Sequence, residues 1–486
     1  MRGFVRLMAV VVTAAVFVVA CSKDKDSGKI TLDSPAVFFA QAGGSATVGF
    51  TAQNIKTLSA TSKPTGWDEA VVDLAGATIS VKAPSAEDIE SGDAVKTGSF
   101  SFTGYTPGGT LVSATLFAGI VTTKDISAEV ANSYVVTEPE TNYLIDATRK
   151  GDGSQLATSY VNVVWQTASG FVQYADFEDG KASFYIGADS DDATKIKQGN
   201  AVIGAYDADG ELIWSWHIWA TDYDPDAEGG TVDFNGYTLM NRNLGALAND
   251  NSTTDKILAS YGLYYQWGRK DPFPYPALAT DAYTQAPTVY APGFEYAESN
   301  PRTSGTESPY DVMTLEWATA HPTTYMDGVF YEDWEEWASV ADWLYVHHPN
   351  LWGNVTTGKN NISRTSHKSI YDPCPPGWKV PGAEDFAGIE RIGVSAPYYV
   401  TIRCNSTQTA KIPLGGTFYE GRYDRNGSLG RLYTNAPYYL HWRDSTGVFH
   451  DVACTSILFD TSNYPPFVNT TDFYRYAANP VRCIRE

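Results

Sequence analysis

Between Lys29 and Ile120 the chain is cut into short runs in which apolar and polar residues alternate. Ala46-Thr47-Val48-Gly49-Phe50 and Thr78-Ile79-Ser80-Val81 each put one apolar and one polar face on an extended segment. That two-residue period belongs to a half-buried strand. Gly98-Ser99-Phe100-Ser101-Phe102 repeats it, turns at Pro107-Gly108-Gly109 and returns along Leu111 to Phe117, which predicts a hairpin. Strands at this spacing over about a hundred residues predict a β-sandwich of immunoglobulin type, assigned to 30–125.

The pattern resumes near Ala131. Tyr160 to Trp165 reads as a strand, and Phe171 to Phe177 with Lys181 to Ile186 as a hairpin about Glu178-Asp179-Gly180. Ala201 to Tyr206 and Glu211 to Trp219 form another about Asp207-Ala208-Asp209-Gly210. Gly at such tips supplies the positive φ that tight hairpins need. A second sandwich is therefore assigned to 131–228. In its last strand Trp214, Trp216, Ile218 and Ala220 fall on one face, and Ile213, Ser215, His217 and Trp219 on the other. Two largely apolar faces predict a strand inside its sheet rather than at the edge.

Past Gly236 the periodicity fades into long Tyr- and Trp-rich stretches. Helical spacing survives in Glu332 to Tyr345, where Trp334, Trp337, Ala338, Ala341 and Leu344 form a stripe read as core packing. A second helix is predicted over Ala383 to Ile392, directly after Pro381-Gly382. No internal repeat and no low-complexity tract is visible in the sequence.

The N-terminus fixes an expected address. Arg2 and Arg6 precede the apolar run Leu7 to Ala20, too short to span a bilayer and typical of a secretory signal, assigned to 1–20. It ends Val18-Val19-Ala20-Cys21, which resembles the lipobox of bacterial lipoproteins and implies lipidation of Cys21 ahead of a polar tether, 21–29. Ser22-Lys23-Asp24-Lys25-Asp26 resembles the acidic export signal of Bacteroidetes surface lipoproteins, implying the outer face of the outer membrane. Gly43-Gly44-Ser45 and Gly66-Trp67 resemble the small N-terminal sandwich called BACON in Bacteroidetes glycan proteins.

Charge narrows the partners. Lys and Arg number 34 against 56 Asp and Glu, a net charge of −22, and loss of the leader removes two of the cations. Such a surface repels phosphate backbones, so nucleic acid is excluded as a partner. With 31 Tyr and 13 Trp but only 19% charged residues, the composition fits aromatic faces that stack on sugars or partners. It fits a large aromatic core equally well. Besides Cys21 the cysteines are Cys374, Cys404, Cys454 and Cys483, an even number in an oxidising compartment. They allow three pairings. No two lie within four residues of each other, which favours disulfides over a zinc site.

An ordered series of motifs follows. Gly236-Tyr237-Thr238-Leu239-Met240-Asn241-Arg242-Asn243-Leu244-Gly245-Ala246 leads to Tyr261-Gly262-Leu263-Tyr264-Tyr265-Gln266-Trp267-Gly268-Arg269-Lys270-Asp271-Pro272-Phe273. Leu351-Trp352-Gly353, Ser369 to Pro381 around Cys374-Pro375-Pro376-Gly377-Trp378, and Asn479-Pro480-Val481-Arg482-Cys483 complete it. The series resembles the Fibrobacter succinogenes major paralogous domain and the C-terminal domains of Bacteroidetes surface and fimbrial tip proteins, with the match running over 131–486. That family resembles the C-type-lectin-like fold of the formylglycine-generating enzyme group. The resemblance implies that the two β-sandwich modules read above are followed by an α+β C-type-lectin-like domain at 232–486, whose first and last strands lie side by side. It also implies a Cys374–Cys483 bridge, which leaves Cys404 with Cys454.

Chemistry is sparse. The reactive cysteine pair of the formylglycine-generating enzymes is absent, as are Gly-x-Ser-x-Gly, His-Glu-x-x-His, a Walker pattern and a dinucleotide fingerprint. His347-His348 reads as a solvated turn, and no enzyme is expected. Asp222, Asp224, Asp226 and Glu228 alternate before Gly229-Gly230, superficially a calcium loop, but lack the EF-hand spacing. No cofactor is expected, with calcium the one ion the acidic loop raises. The resemblance and the aromatic content imply a binding or adhesion protein with a glycan as ligand, the alternative being an accessory or tip subunit of a fimbria. Tyr438, Tyr439 and Trp442, among Asn435, His441, Arg443 and Asp444, are the candidate sugar-stacking faces. Their competing reading is a core strand.

Overall fold

The computed structural model describes residues 26–234, 236–274, 283–284, 314–326, 342–344, 346, 348–353, 367–386, 389–395, 398–419, 422–424, 427–438, 442–443, 449–450, 453–460 and 467–486. Cys21, Tyr439 and most of the helix expected at 332–345 lie outside the described residues. The chain divides into two compact units, one ending at Thr122 and one from Thr123 to Glu486.

The first unit is a sandwich of eight strands: β1 (Lys29–Leu32), β2 (Ala36–Phe39), β3 (Ser45–Gln53), β4 (Thr57–Ser62), β5 (Val71–Asp73), β6 (Thr78–Lys82), β7 (Thr97–Tyr105) and β8 (Leu111–Ile120). They form two sheets, ordered β1-β3-β6-β5 and β2-β8-β7-β4. The short β2 runs parallel to the last strand, Ala36 opposite Phe117 and Phe39 opposite Ile120. Alternation drives the packing. In β7, Phe100 and Phe102 point inward while Ser99, Ser101 and Thr103 face out. The core centres on Trp67, buried between Phe39 and Phe100, its Nε1 donating to Val95 O at 2.8 Å. Gly66 beside it has φ +78, and a Cβ there would collide with Ala94. A short helix, α1 (Ala86–Glu90), opens with Ser85 and Asp88 capping each other.

The second unit begins with eight more strands: β9 (Thr122–Asp125), β10 (Ser133–Val136), β11 (Thr141–Asp146), β12 (Tyr160–Gln166), β13 (Val172–Glu178), β14 (Lys181–Ile186), β15 (Gly199–Tyr206) and β16 (Leu212–Ala220). Their sheets are β9-β11-β14-β13 and β10-β16-β15-β12, with β10 parallel to β16. Adding eight to each strand number of the first sandwich reproduces this order, so the two are one topology used twice. The sequence shows no such repeat because topology depends on alternation and turn placement, not on residue identity. The β13–β14 hairpin turns at Asp179 (φ +50) and Gly180 (φ +79), the two positive values a two-residue type I′ turn demands.

The copies differ in one respect. In the second, β15 and β16 are buried along nearly their whole length, and β16 lies inside its sheet as its two apolar faces predict. Trp214, Trp216, Ile218 and Ala220 fill the sandwich core. From the opposite face of the sheet Trp165, Val202 and Trp219 enter another core with Met240, Leu244, Tyr265, Trp267, Trp352 and Trp378. The segment after residue 228 is thus built onto the second sandwich and shares a core with it.

That segment is a set of small sheets with short helices. β17 (Thr231–Phe234) and β18 (Tyr237–Met240) are joined by the terminal strand Ile484–Arg485 and by Trp378–Lys379. Its last strand pairs with its second, β18, Leu239 opposite Ile484, and β17 lies on the far side of β18. Helix α2 spans Thr254–Ser260 and α3 Leu315–Ala320, each capped by a threonine hydroxyl. The helix expected at 383–392 is not formed. A single 3₁₀ turn covers Ala383–Phe386, and Glu390–Ser395 is a strand paired to Tyr399–Arg403. Ile389, just ahead of that strand, packs against the core of Val400, Ile402 and Ile412, and this packing overrides the start signal at Pro381-Gly382.

A disulfide joins Cys374 to Cys483 across 109 residues. The second expected bridge is corrected: Cys404 and Cys454 are both buried and free. Cys454 lies on Ala453–Asp460, where the two-residue period turns it away from Ile457 and Phe459. Those two pack with Cys404, while Cys454 faces the other core and donates to Phe473 O at 3.4 Å.

A polar seam crosses the shared core. His217 Nε2 lies 2.9 Å from Asn200 Oδ1, and Asn200 Nδ2 donates to Gly245 O at 3.0 Å. This fixes Nε2 as the protonated nitrogen of a neutral ring. Burial pushes the His217 pKa down to about 3. The unfolded histidine takes up its proton near pH 6.5, so falling pH stabilises the unfolded chain while the buried ring stays neutral. The native unit should lose about 2 kcal/mol more stability between pH 7 and pH 5 than a His217→Gln variant, read from urea midpoints. Equal slopes would show that the ring is not held neutral.

Candidate functional site

A concavity of about 310 Å³, at the lower end of the range for small-molecule sites, opens in the second unit. Three chain segments line it: Leu315 from α3, His348 to Leu351, and Ser369 to Tyr371.

Each wall is held from behind. The 369–373 wall is pinned to the start of β10, where Asn132 Nδ2 donates to Ile370 O (2.7 Å) and Asp372 O (2.8 Å), and Ser133 Oγ to Pro373 O (2.7 Å). Asp372 turns inward and accepts from Cys374 N (2.8 Å) and Val380 N (2.9 Å), with Lys368 Nζ at 3.7 Å. Burial raises its pKa and lowers that of Lys368. The amine is satisfied by Cys374 O at 2.6 Å, Pro375 O at 2.9 Å and Trp378 O. Ser369 Oγ donates to Leu351 O, tying two walls together.

The α3 wall is fixed by Arg269, whose guanidinium donates to Ala318 O (3.2 Å), His321 O (2.6 Å), Thr324 O (2.6 Å) and Gln266 Oε1 (2.9 Å). A cation at the C-terminal end of a helix satisfies carbonyls that the helix leaves open. Tyr371 packs on Trp214, ring centroids 6.0 Å apart, and Lys150 and Lys270 lie over the same indole at 4.7 and 4.5 Å. Beneath, Lys270 Nζ bonds Asp271 Oδ1 (2.7 Å), Ser215 O (3.1 Å) and Ser215 Oγ, and Ser215 Oγ donates to Asp271. All three are buried, so this serine–lysine pair is a packing element under the floor and not an exposed nucleophile.

The lining is an apolar surface of Tyr371, Ile370, Leu315, Leu351 and Pro349 edged by Asn350, Ser369 and His348. Burial raises the Tyr371 pKa, with Glu316 and Asp152 adding to the effect, so its hydroxyl stays protonated and can donate. An apolar floor with a few polar groups at the edge holds a small molecule and orients it.

The residues singled out from the sequence lie elsewhere. Tyr438 ends the strand Leu429–Tyr438, and Trp442 pairs with His450 in a two-residue ribbon. Their side chains, like Tyr439, fall outside the described residues. In the acidic loop, Arg242 reaches Asp222 at 3.5 Å, Arg485 pairs with Asp226, and Asp224 Oδ1 accepts from Asp226 N at 2.8 Å. Among the described residues no group of three His, Cys, Asp or Glu is placed to hold a metal. No helix among them is long and apolar enough to cross a membrane. Sequence reasoning quoted Leu351-Trp352-Gly353 and Ser369 to Cys374 as framework. The signal that could have marked a site was polar Ser, Asn and His beside isolated apolar residues in segments without periodicity.

No protein-family model matches the chain, and no curated protein matches it. Among solved structures, the Yersinia pseudotuberculosis adhesin InvE aligns at 10% identity and TM-score 0.14, covering 48% of this chain and 79% of that one. Tandem immunoglobulin repeats of Dlar align at 13% identity and TM-score 0.15, covering 40% and 97%. An endo-fucoidan hydrolase of glycoside hydrolase family 107 aligns at 9% identity and TM-score 0.16, covering 40% of this chain and 34% of the enzyme. This chain therefore spans about a third of that enzyme's length. Scores this low carry no argument about role.

Proposed function

We propose that this chain is a lipid-anchored surface binding protein whose 123–486 unit holds a glycan in the cavity beside Tyr371, without catalysis. The observation that carries the reading is the cavity: a buttressed apolar floor with an aromatic ring, edged by Asn350, Ser369 and His348. A pyranose presents one C–H face and a ring of hydroxyls, which suits an aromatic platform with polar groups at its edge. The lipobox-like Cys21 supports an outer-membrane address, and two sandwiches of one topology suit a spacer. The terminal strand lying in one sheet with β17 and β18, and the Cys374–Cys483 bridge, support the C-type-lectin-like and Fibrobacter-type reading of that segment.

The test is a glycan array with the mature chain lacking its lipid, run with calcium and with chelator. Binding to a related set of glycans is expected in both conditions. Tyr371→Ala should lower affinity at least about tenfold, or 1.4 kcal/mol, at an unfolding midpoint close to the parent's. Undiminished binding by the folded variant would remove the cavity from the reading. A blank array from folded, oxidised protein would remove the glycan and leave a protein partner, such as a fimbrial subunit.

A further inference from the structure

The outer face of the β2-β8-β7-β4 sheet is a hydroxyl surface along β7 and β8, formed by Ser99, Ser101, Thr103, Ser113 and Thr115. At one end it changes character. Tyr105 and Leu111, paired across the hairpin and so on the same face, are 45% and 59% exposed. The loop between them is tied to the start of the chain. Asp26 accepts from Thr106 Oγ1 (2.6 Å), Gly108 N (3.0 Å) and Thr110 Oγ1 (2.9 Å), and Asn54 Nδ2 donates to Ser27 O at 3.2 Å. These hydroxyls, Thr106 first, hold the Asp26 carboxyl below its usual range. An ionised carboxylate thus fastens the hairpin tip to Asp26, inside the tether and just ahead of β1.

We infer that the Tyr105–Leu111 hairpin tip rests on the lipid bilayer beside the anchor at Cys21. The inference rests on the lipidation proposed above and extends it. Asp26 lies five positions past Cys21, and fully extended that stretch spans at most ~18 Å. Asp26 therefore stays within that distance of the acylated residue, and the tip it holds lies only slightly farther. A tether this short limits the reach of the sandwich without choosing which side of it meets the membrane. The apolar pair makes that choice, because Tyr and Leu gain by entering the headgroup boundary where Ser and Thr do not. Exposed Lys56, whose backbone N bonds Tyr105 O, adds a cation at the same end, and Lys23 and Lys25 stand in the tether.

The experiment uses the full-length lipidated protein in vesicles of phosphatidylethanolamine and phosphatidylglycerol. A nitroxide is placed through Leu111→Cys, and separately through Val71→Cys as a reference. Cys404 and Cys454 are buried and Cys374 and Cys483 are bonded, so the label goes to the introduced thiol. Val71 is 66% exposed and pairs with Ser80, which lies opposite Thr47. That is about six residues along β3 from the tether end, or ~20 Å. Flotation with the vesicles first establishes anchoring. In floated protein, collisions of the 111 label with an aqueous nickel chelate should fall severalfold on vesicle binding while the 71 label is unchanged. Equal accessibility of the two labels in floated protein would overturn the inference and leave anchoring intact. Immobilisation of the 111 label without vesicles would also overturn it, in favour of self-association. Protein that does not float would overturn both readings.

Discussion

Reducing the Cys374–Cys483 bridge is expected to cost the 123–486 unit about 4 to 5 kcal/mol, the chain-entropy value for a closed loop of roughly a hundred residues. The bridge closes 109 residues and joins the turn before Trp378–Lys379 to the terminal strand that pairs with it. Both sulfurs lie in the aromatic core with Trp267, Trp352 and Trp378, so the link acts where the last strand meets its neighbours β18 and Trp378–Lys379. Urea midpoints of oxidised and reduced protein measure the loss, and a difference below about 1 kcal/mol would show that strand pairing alone fixes the terminus. The same samples settle the thiols. Oxidised protein lacking Cys21, unfolded in denaturant, should titrate the two free cysteines, Cys404 and Cys454. A count of zero would mean that they are bridged after all.

Asp271→Ala is expected to destabilise the unit by about 3 to 5 kcal/mol, the cost of leaving one member of a buried ion pair without its partner. Lys270 and Asp271 are both buried, and the carboxylate receives the amine and the Ser215 hydroxyl together. Burial already lowers the Lys270 pKa, and the Asp271 charge opposes that shift. Removing the carboxylate leaves an ammonium under the Tyr371 floor with only Ser215 and the Trp214 face to hold it. The double variant Lys270→Met, Asp271→Ala should regain much of the loss, because no charge is then buried. If the double variant is as unstable as the single, the network is held by shape and not by charge.

Legibility followed the number of faces a strand buries. Strands of the first sandwich bury one face, so Phe100 and Phe102 against Ser99 and Ser101 gave the hairpin directly. β16 buries two, and its Trp214/Trp216 and Trp219 faces gave a central strand without saying what covers the second face. The answer lay with Met240, Leu263 and Trp267, residues that carry no period of their own. Beyond Gly236 most of the described strands are only two to five residues long, too short for alternation to rise above composition. Ala383 to Ile392 shows the hazard: Pro381-Gly382 signalled a helix start, yet packing of Ile389 with Val400 and Ile412 beside a strand won. The Cys374–Cys483 pairing came through resemblance. Cys404 with Cys454 failed because the remaining two cysteines were paired by subtraction, although strand alternation turns Cys454 away from the core that holds Cys404. The cavity was not legible because its walls converge from segments far apart in sequence.

The parallel pairing of β2 with β8, and of β10 with β16, has a mechanical consequence. In each sandwich the short strand comes early, directly after β1 or β9, and the long strand is the last. Tension drawn through the chain therefore pulls the paired strands in opposite directions along their length. Ala36–Phe117 through Phe39–Ile120, and Ser133–His217 through Val136–Ala220, are loaded together as a lap joint. Strands opened from one end would break one pair at a time. A protein held by one terminus under flow is thus resisted in both modules by pairs that share the force.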